Sequence, residues 1–356
     1  MFIEIKFIIS ETYRKQILTI PFLQIENTIS NASEDSNGTV CVDQNQNIDK
    51  STSITAVLTT MTVLGLVANI ITLIILILYE KDFPQISRTL LKNQATSDCF
   101  VCVMAVGLYF QSFRWTTGFR TFDLLLCQTW HSQALFWGGV HVSIWSLVFI
   151  AVERFVKISY PFKHRRIRKS HIYATCTAIY FSSFVFTFPC YFQTRYDMET
   201  GKCLDQYYFQ TNQFHNLMAQ YGIFWFVMEY VIPTTLFISI YTKVILDLRS
   251  HKKNRDEIRC VGSLQRKKQC TLSLADKQLT KTSIFVTIAF VISLGVESWR
   301  YFLGRIGIIC YEKNTLQLIL GVFLASINSC ANPFIYSISL PVFKKCLKKM
   351  FHLNSC

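Results

Sequence analysis

Seven runs of predominantly apolar residues, each long enough as a helix to cross the hydrocarbon core of a bilayer, constrain this chain more than any other feature. They cover residues 54–78, 90–112, 127–158, 171–192, 221–246, 282–303 and 316–338. A spanning segment needs roughly 20 apolar residues, and without water to bond its backbone it must satisfy those groups internally as a helix or a closed barrel. A soluble domain of 356 residues that is 51% hydrophobic would spread its apolar residues as alternating faces instead of gathering them into runs. The expected fold class is therefore an all-α membrane protein, a seven-transmembrane helix bundle. After the last run, Val342, Phe343, Cys346, Leu347 and Met350 recur at helical spacing among lysines, which predicts a short amphipathic eighth helix on the membrane surface. The chain divides into a tail over 1–53, a bundle over 54–338 and an amphipathic helix with its tail over 339–356.

The net charge of +14 raises the question of nucleic acid, and its placement answers it. Arg154, Lys157, Lys163, Arg165, Arg166, Arg168 and Lys169 surround the connection after the third run, a denser set fills 243–281, and Lys344, Lys345, Lys348 and Lys349 follow the seventh. These connections fall on one side of a seven-span chain, which the positive-inside rule makes cytoplasmic. The charge flanks hydrocarbon-length helices and forms no soluble basic face, so a nucleic-acid partner is not expected. The partner expected from this layout is a lipid bilayer.

The opposite tail carries two glycosylation triplets, at Asn31 and Asn37, usable only in the secretory lumen. Both agree with an outer N-terminus and a plasma-membrane location. Residues 1–10 lack the apolar core and cleavage site of a signal peptide, so the first span is expected to act as the targeting signal. Among the 13 cysteines no metal-ligand cluster stands out. Cys127 and Cys203 both fall on the oxidising side, where a bridge would pin the loop before span five across the bundle. Cys41 and Cys310 are a second candidate pair, Cys99, Cys102, Cys176 and Cys330 read as small apolar residues, and Cys346 or Cys356 as sites for a lipid beside the polybasic tail.

Polar residues inside spans are costly, so function is sought there first. A carboxylate near mid-span, Asp98, costs about 2.5–3.5 kcal/mol on insertion scales and needs a cation, a proton or donors from other helices. Asn69, Ser143, Asn328, Ser329 and Asn332 are the polar groups available to it. In span seven, Pro333 removes a backbone donor and frees a carbonyl four residues earlier, for which Asn328, Ser329 or an ordered water is expected to answer.

These residues bring the chain to a known pattern: it resembles a rhodopsin-like (class A) G protein-coupled receptor from residue 54 to residue 352. Asn69 matches the asparagine of span one, Asn93, Ala95 and Asp98 the motif of span two, and Glu153-Arg154-Phe155 the triplet that ends span three. Pro233 and Tyr241 match the pair of span five, and Asn332-Pro333-Phe334-Ile335-Tyr336 the motif of span seven. The resemblance implies no enzymatic activity and no cofactor beyond a sodium ion as allosteric ligand, held by Asp98, Ser143, Asn328, Ser329 and Asn332. It implies that Arg154, held by Glu153 and by Asp276, is released to a heterotrimeric G protein, with Tyr241 and Tyr336 swinging inward, and that Pro333 bends span seven.

Span six departs from the pattern, with Leu294 where the family has tryptophan and Val296 where it has proline; Gly295 is left as a source of flexibility. Cys127 lies two residues further from Arg154 than the family norm, so either the outer end of span three is irregular or the cysteine belongs to the loop. The position where amine receptors place aspartate holds Phe136 or Ala134, depending on whether it is counted from Arg154 or from Cys127. The retinal-lysine position of visual pigments is Ser326. What remains outside is an aromatic wall with mixed charge: Trp130, Phe136, Trp137, His141, Glu229, Glu297, Trp299, Arg300, Tyr301 and Arg305. Such a wall suits a short neuropeptide, with Glu229 and Glu297 clasping a peptide arginine. The alternatives are a receptor for a non-peptide small molecule, an amine or a lipid, and a transporter or channel; no internal repeat or pair of broken helices supports the last.

Overall fold

The computed structural model describes residues 32–34, 40–42, 52–109, 117–192, 194–198, 202–205, 212–258, 265–306, 308 and 316–351, and the side chains of most of these. Asn31, Asn37, Cys310 and Cys356, and the side chains of Cys41 and Asp276, lie outside the described residues.

Helices α1 (Thr52–Leu78), α2 (Gln85–Tyr109), α3 (Ala134–Ser159) and α4 (Lys169–Thr187) are followed by α5, in which Asn212–Phe226, a π turn over Val227–Val231 and Ile232–Ile258 join as one rod. Then come α6 (Gln265–Arg305), α7 (Leu316–Ser339) and α8 (Pro341–Met350). Two antiparallel ribbons are formed, β1 (Ala32–Glu34) with β2 (Val40–Val42), and β3 (Thr194–Asp197) with β4 (Lys202–Asp205). Among the described residues, six helices are long and apolar enough to cross a membrane. The seventh span is α2, whose 25 residues suffice in length but are diluted by inward-facing Gln94, Ser97 and Asp98.

The helices close into a ring. α1 packs on α2 and α7, α2 on α3 and α7, α6 on α5 and α7, while α3 runs through the middle with α4 and α5 against its flanks. Burial is inverted relative to a soluble protein. Asn69, Gln94 and Asp98 are 0% exposed, whereas Phe181 and Ile292 are 69% and 67% exposed. Polar groups find one another at the bundle axis and apolar ones face the lipid.

Three irregularities have local causes. The expected single span over 127–158 is broken: a π turn, Cys127–His131, ends at Gln133, whose φ of 61° is left-handed, before α3 starts. That conformation costs a non-glycine residue roughly 1–2 kcal/mol. Here the Ser132 hydroxyl accepts from the Ala134 amide at 3.2 Å and the Gln133 carbonyl accepts from Trp137 N at 3.0 Å, capping the new helix start. The two extra residues before Arg154 are taken up in this break, so the irregular-end reading holds. In α5, Pro233 cannot donate to the Glu229 carbonyl, and the π turn over Val227–Val231 sits where that ladder bond is missing. In α7, the carbonyl freed by Pro333 belongs to Ser329 and accepts at 3.0 Å from the Asn69 side chain of α1. Neither Asn328, nor the Ser329 side chain, nor a water was needed; the donor comes from another helix.

Candidate functional site

Polar side chains meet at three depths along the axis, and the central one is built around Asp98. Both its oxygens are occupied. Oδ1 accepts from Ser143 Oγ at 2.7 Å and from Gln94 Nε2 at 3.1 Å; Oδ2 accepts from Asn332 Nδ2 at 2.7 Å and from Gln94 Nε2 at 3.2 Å. Gln94 Nε2 also donates to Ser143 Oγ at 2.7 Å, which closes a ring of three side chains from α2 and α3. The spacing of Gln94 and Asp98, four residues apart on α2, puts both on one helix face, a signal that sequence reading passed over. The five residues implied for sodium do come together: Asp98, Ser143, Asn328, Ser329 and Asn332 are all buried. They do not leave the carboxylate open, however. Three side chains donate to it, Ser143 and Asn332 each to one oxygen and Gln94 with a hydrogen shared between the two. In this conformation donors from the chain stand at the carboxylate where the expected sodium ion would bind.

Toward the α8 end of the bundle, Arg154 is buried with Nε 3.2 Å from Glu153 Oε2. Glu153 Oε1 lies 2.9 Å from Nε2 of His164, which belongs to the short turn Pro161–His164 after α3. Glu153 is thus held from two sides, and His164 is a partner that nothing in the sequence singled out. Arg154, Tyr241 and Tyr336 line one crevice with Thr282, Ser283, Thr287 and apolar neighbours. It gives the centre of a water-sized sphere about 20 Å³, room for one or two waters. Thr282, Ser283 and Thr287 come from α6, so its inner end forms one wall. At α8, Cys346 is buried with its thiol 3.7 Å from Asp82 Oδ2, and burial together with that carboxylate pushes the thiol above its ordinary value. A sealed thiol of this kind is a poor nucleophile while α8 stays docked.

At the other end of the bundle, Cys127 and Cys203 form a disulfide that ties β4 to the entry of α3. His141 and Glu229, expected on a ligand-facing wall, are both buried and hydrogen-bonded to each other through Nδ1 and Oε1, joining α3 to the π turn of α5. His141 Nε2 lies 3.1 Å from Ser182 Oγ of α4, and that hydroxyl donates to the Ile179 carbonyl at 2.8 Å. The single hydroxyl proton being used, Nε2 is the donor in this contact. Nδ1 then either donates to a carboxylate or accepts from a protonated Glu229, so the pair holds one shared proton and no net charge.

Glu297 is buried and accepts from Arg300 Nε at 3.0 Å and Arg300 Nη2 at 3.1 Å. Its Oε2 lies where a Cβ on Gly321 would come within 2.3 Å, so a side chain there would make the carboxylate shift. Phe136 is buried and meets Trp137 edge-on at 5.1 Å; Trp137 reaches Trp225, and Tyr301 packs beside Trp225 under the Arg305 guanidinium. In α6, Leu294 is buried in the main core and Val296 faces lipid. A Cβ on Gly295 would come within 2.8 Å of the Tyr230 hydroxyl, making this glycine a close-approach point between α5 and α6.

A ring of seven spanning helices with a hydrogen-bonded carboxylate at its centre and a buried Arg-Glu pair at its inner mouth is the body of a membrane receptor. The chain belongs to the rhodopsin family of seven-transmembrane receptors: the family's model, 7 transmembrane receptor (rhodopsin family), matches residues 68–336. It is 22% identical over 289 residues to a green-sensitive opsin of Gallus gallus, covering 80% of this chain and 75% of the opsin. It is 24% identical over 293 residues to a rhodopsin of Sminthopsis crassicaudata, covering 80% and 77%. To neuropeptide Y receptor type 6 of Mus musculus it is 22% identical over 330 residues, covering 84% and 80%. These relatives are receptors and not enzymes. The chain is a multi-pass membrane receptor that signals through a G protein.

Proposed function

We propose that this receptor detects a short amphipathic peptide at the plasma membrane, with its N-terminus outside, and activates a heterotrimeric G protein by opening the inner end of α6 beside Arg154. The observation that carries the ligand class is the loss of the alternatives' anchors. Helix α7 contains no lysine, and Ser326, at the position where a retinal Schiff base would form, is buried and donates to the Val322 carbonyl at 2.6 Å. Phe136 and Ala134, at the alternative positions for an amine counter-ion, are buried apolar residues. Similarity to a neuropeptide Y receptor over much of the chain agrees with this reading, while similarity to opsins tells only of the bundle they share.

The geometry changes how a peptide arginine would be read. Glu229 shares Oε1 with His141, which favours Glu297 as the acid that meets a peptide arginine. Glu297 already holds one guanidinium, so a ligand arginine would exchange with Arg300. Such an exchange leaves the buried carboxylate paired and lets the ligand act on α6 directly. At the inner mouth, Glu153, Arg154, Tyr241 and Tyr336 are the coupling residues, Asp276 a further partner for Arg154, and Asn332 and Pro333 the bend of α7. The test is second-messenger release in cells expressing the chain, challenged with pools of short amidated peptides, with monoamines, with lipids and with retinal. A response confined to one peptide pool supports the proposal. Responses confined to amines or lipids refute the peptide reading while leaving the receptor class intact.

A further inference from the structure

The carboxylate of Asp98 is surrounded by groups of two kinds: those a cation would need, which are oxygens, and those that take a cation's place, which are N–H and O–H donors. The second kind occupies it. Among the side chains that donate to Asp98, Gln94, 0% exposed on α2, reaches both carboxylate oxygens from one amide nitrogen. The orientation of that amide is fixed by its neighbours. Turned round, it would set its oxygen at about the same distance from both carboxylate oxygens, lone pairs against a buried anion, a contact that stabilises nothing unless a cation lies between. With the NH2 inward, Gln94 bridges Oδ1 and Oδ2 and donates its other hydrogen to Ser143, whose own hydroxyl proton goes to Asp98. The ring is closed.

We propose that Gln94 is a built-in counter-group to Asp98, taking the positions at the carboxylate that a sodium ion would occupy, so that the resting bundle does not depend on sodium. An ion could enter only by breaking both Gln94 contacts at once, and the amide cannot leave without exposing a buried carboxylate. The same ring ties α2 to α3, while Asn332 ties α7 to the other carboxylate oxygen. The three helices are held together by neutral donors that come with the chain and not from the solvent.

The experiment is thermal unfolding of the purified full-length receptor in lipid nanodiscs, in sodium chloride against choline chloride at equal ionic strength, followed by intrinsic tryptophan fluorescence. The wild-type midpoint is expected to be the same in both salts. Gln94→Leu removes the counter-group and opens the oxygens; at ten times its dissociation constant sodium should then raise the folded-to-unfolded ratio about tenfold over choline. The gain should vanish in the Gln94→Leu/Asp98→Asn double variant. A sodium-specific rise in the wild type that Asp98→Asn abolishes overturns the proposal, as does a Gln94→Leu receptor as indifferent to sodium as the wild type. Should Gln94→Leu not fold, the wild-type and Asp98→Asn arms decide alone.

Discussion

Replacing His141 by leucine would leave Glu229 buried among α3, α4 and α5 without its partner. The second carboxylate oxygen, Oε2, already lacks a hydrogen-bond partner among the described residues, so the variant leaves the whole group without one. Breaking a buried pair by removing one member costs about 3–5 kcal/mol, because the remaining charge must be neutralised or the helices must part to admit water. Replacing both members by apolar residues of similar size is often neutral. His141→Leu should therefore be severely destabilised, by roughly 5–15 °C at a few degrees per kcal/mol, while His141→Leu/Glu229→Leu recovers most of the loss. The assay is the unfolding midpoint of purified receptor in nanodiscs, combined as a double-mutant cycle. A single variant as stable as the wild type, or a double variant no better than the single, would refute the reading of these residues as one neutral, proton-sharing pair.

Asn69→Ala leaves the Ser329 carbonyl without its donor and should cost about 1–3 kcal/mol; adding Pro333→Ala returns a backbone N–H to that carbonyl and should restore part of the loss, read as the unfolding midpoint. His164→Ala takes away one of the two groups holding Glu153 and should raise ligand-free second-messenger release at equal surface expression; unchanged basal release would exclude His164 from the hold on Arg154. Cys346→Ser should leave incorporation of a labelled fatty acid unchanged, since the thiol is sealed against Asp82; loss of label would show that α8 undocks to expose it.

Much of the site was legible because its residues are the expensive ones. Asp98, Arg154 and Asn332 declare themselves by their depth in apolar sequence, and the structure buries all three. Their partners were not legible in the same way. Glu229 and Glu297 read as two free acids facing a ligand, and each is engaged by a partner, His141 from another helix and Arg300 from its own. Gln94 was passed over although its spacing of four from Asp98 sets both on one helix face, because only the packed bundle shows that its amide turns toward the carboxylate. The break at Gln133 was visible only as a spacing anomaly, since a left-handed glutamine leaves no sequence mark.

The number of spans and the identity of the costly residues followed from the sequence alone, because a bilayer reads length and hydropathy along one dimension. Which donor answers which acceptor was decided only by the tertiary structure. Those choices depend on the rotation and register of each helix, and these are set by packing among residues as far apart as Asn69 and Ser329, or Asp98 and Asn332. In lipid, where apolar side chains gain little by leaving one another's company, hydrogen bonds and close backbone approaches at positions such as Gly321 and Gly295 take over that decision.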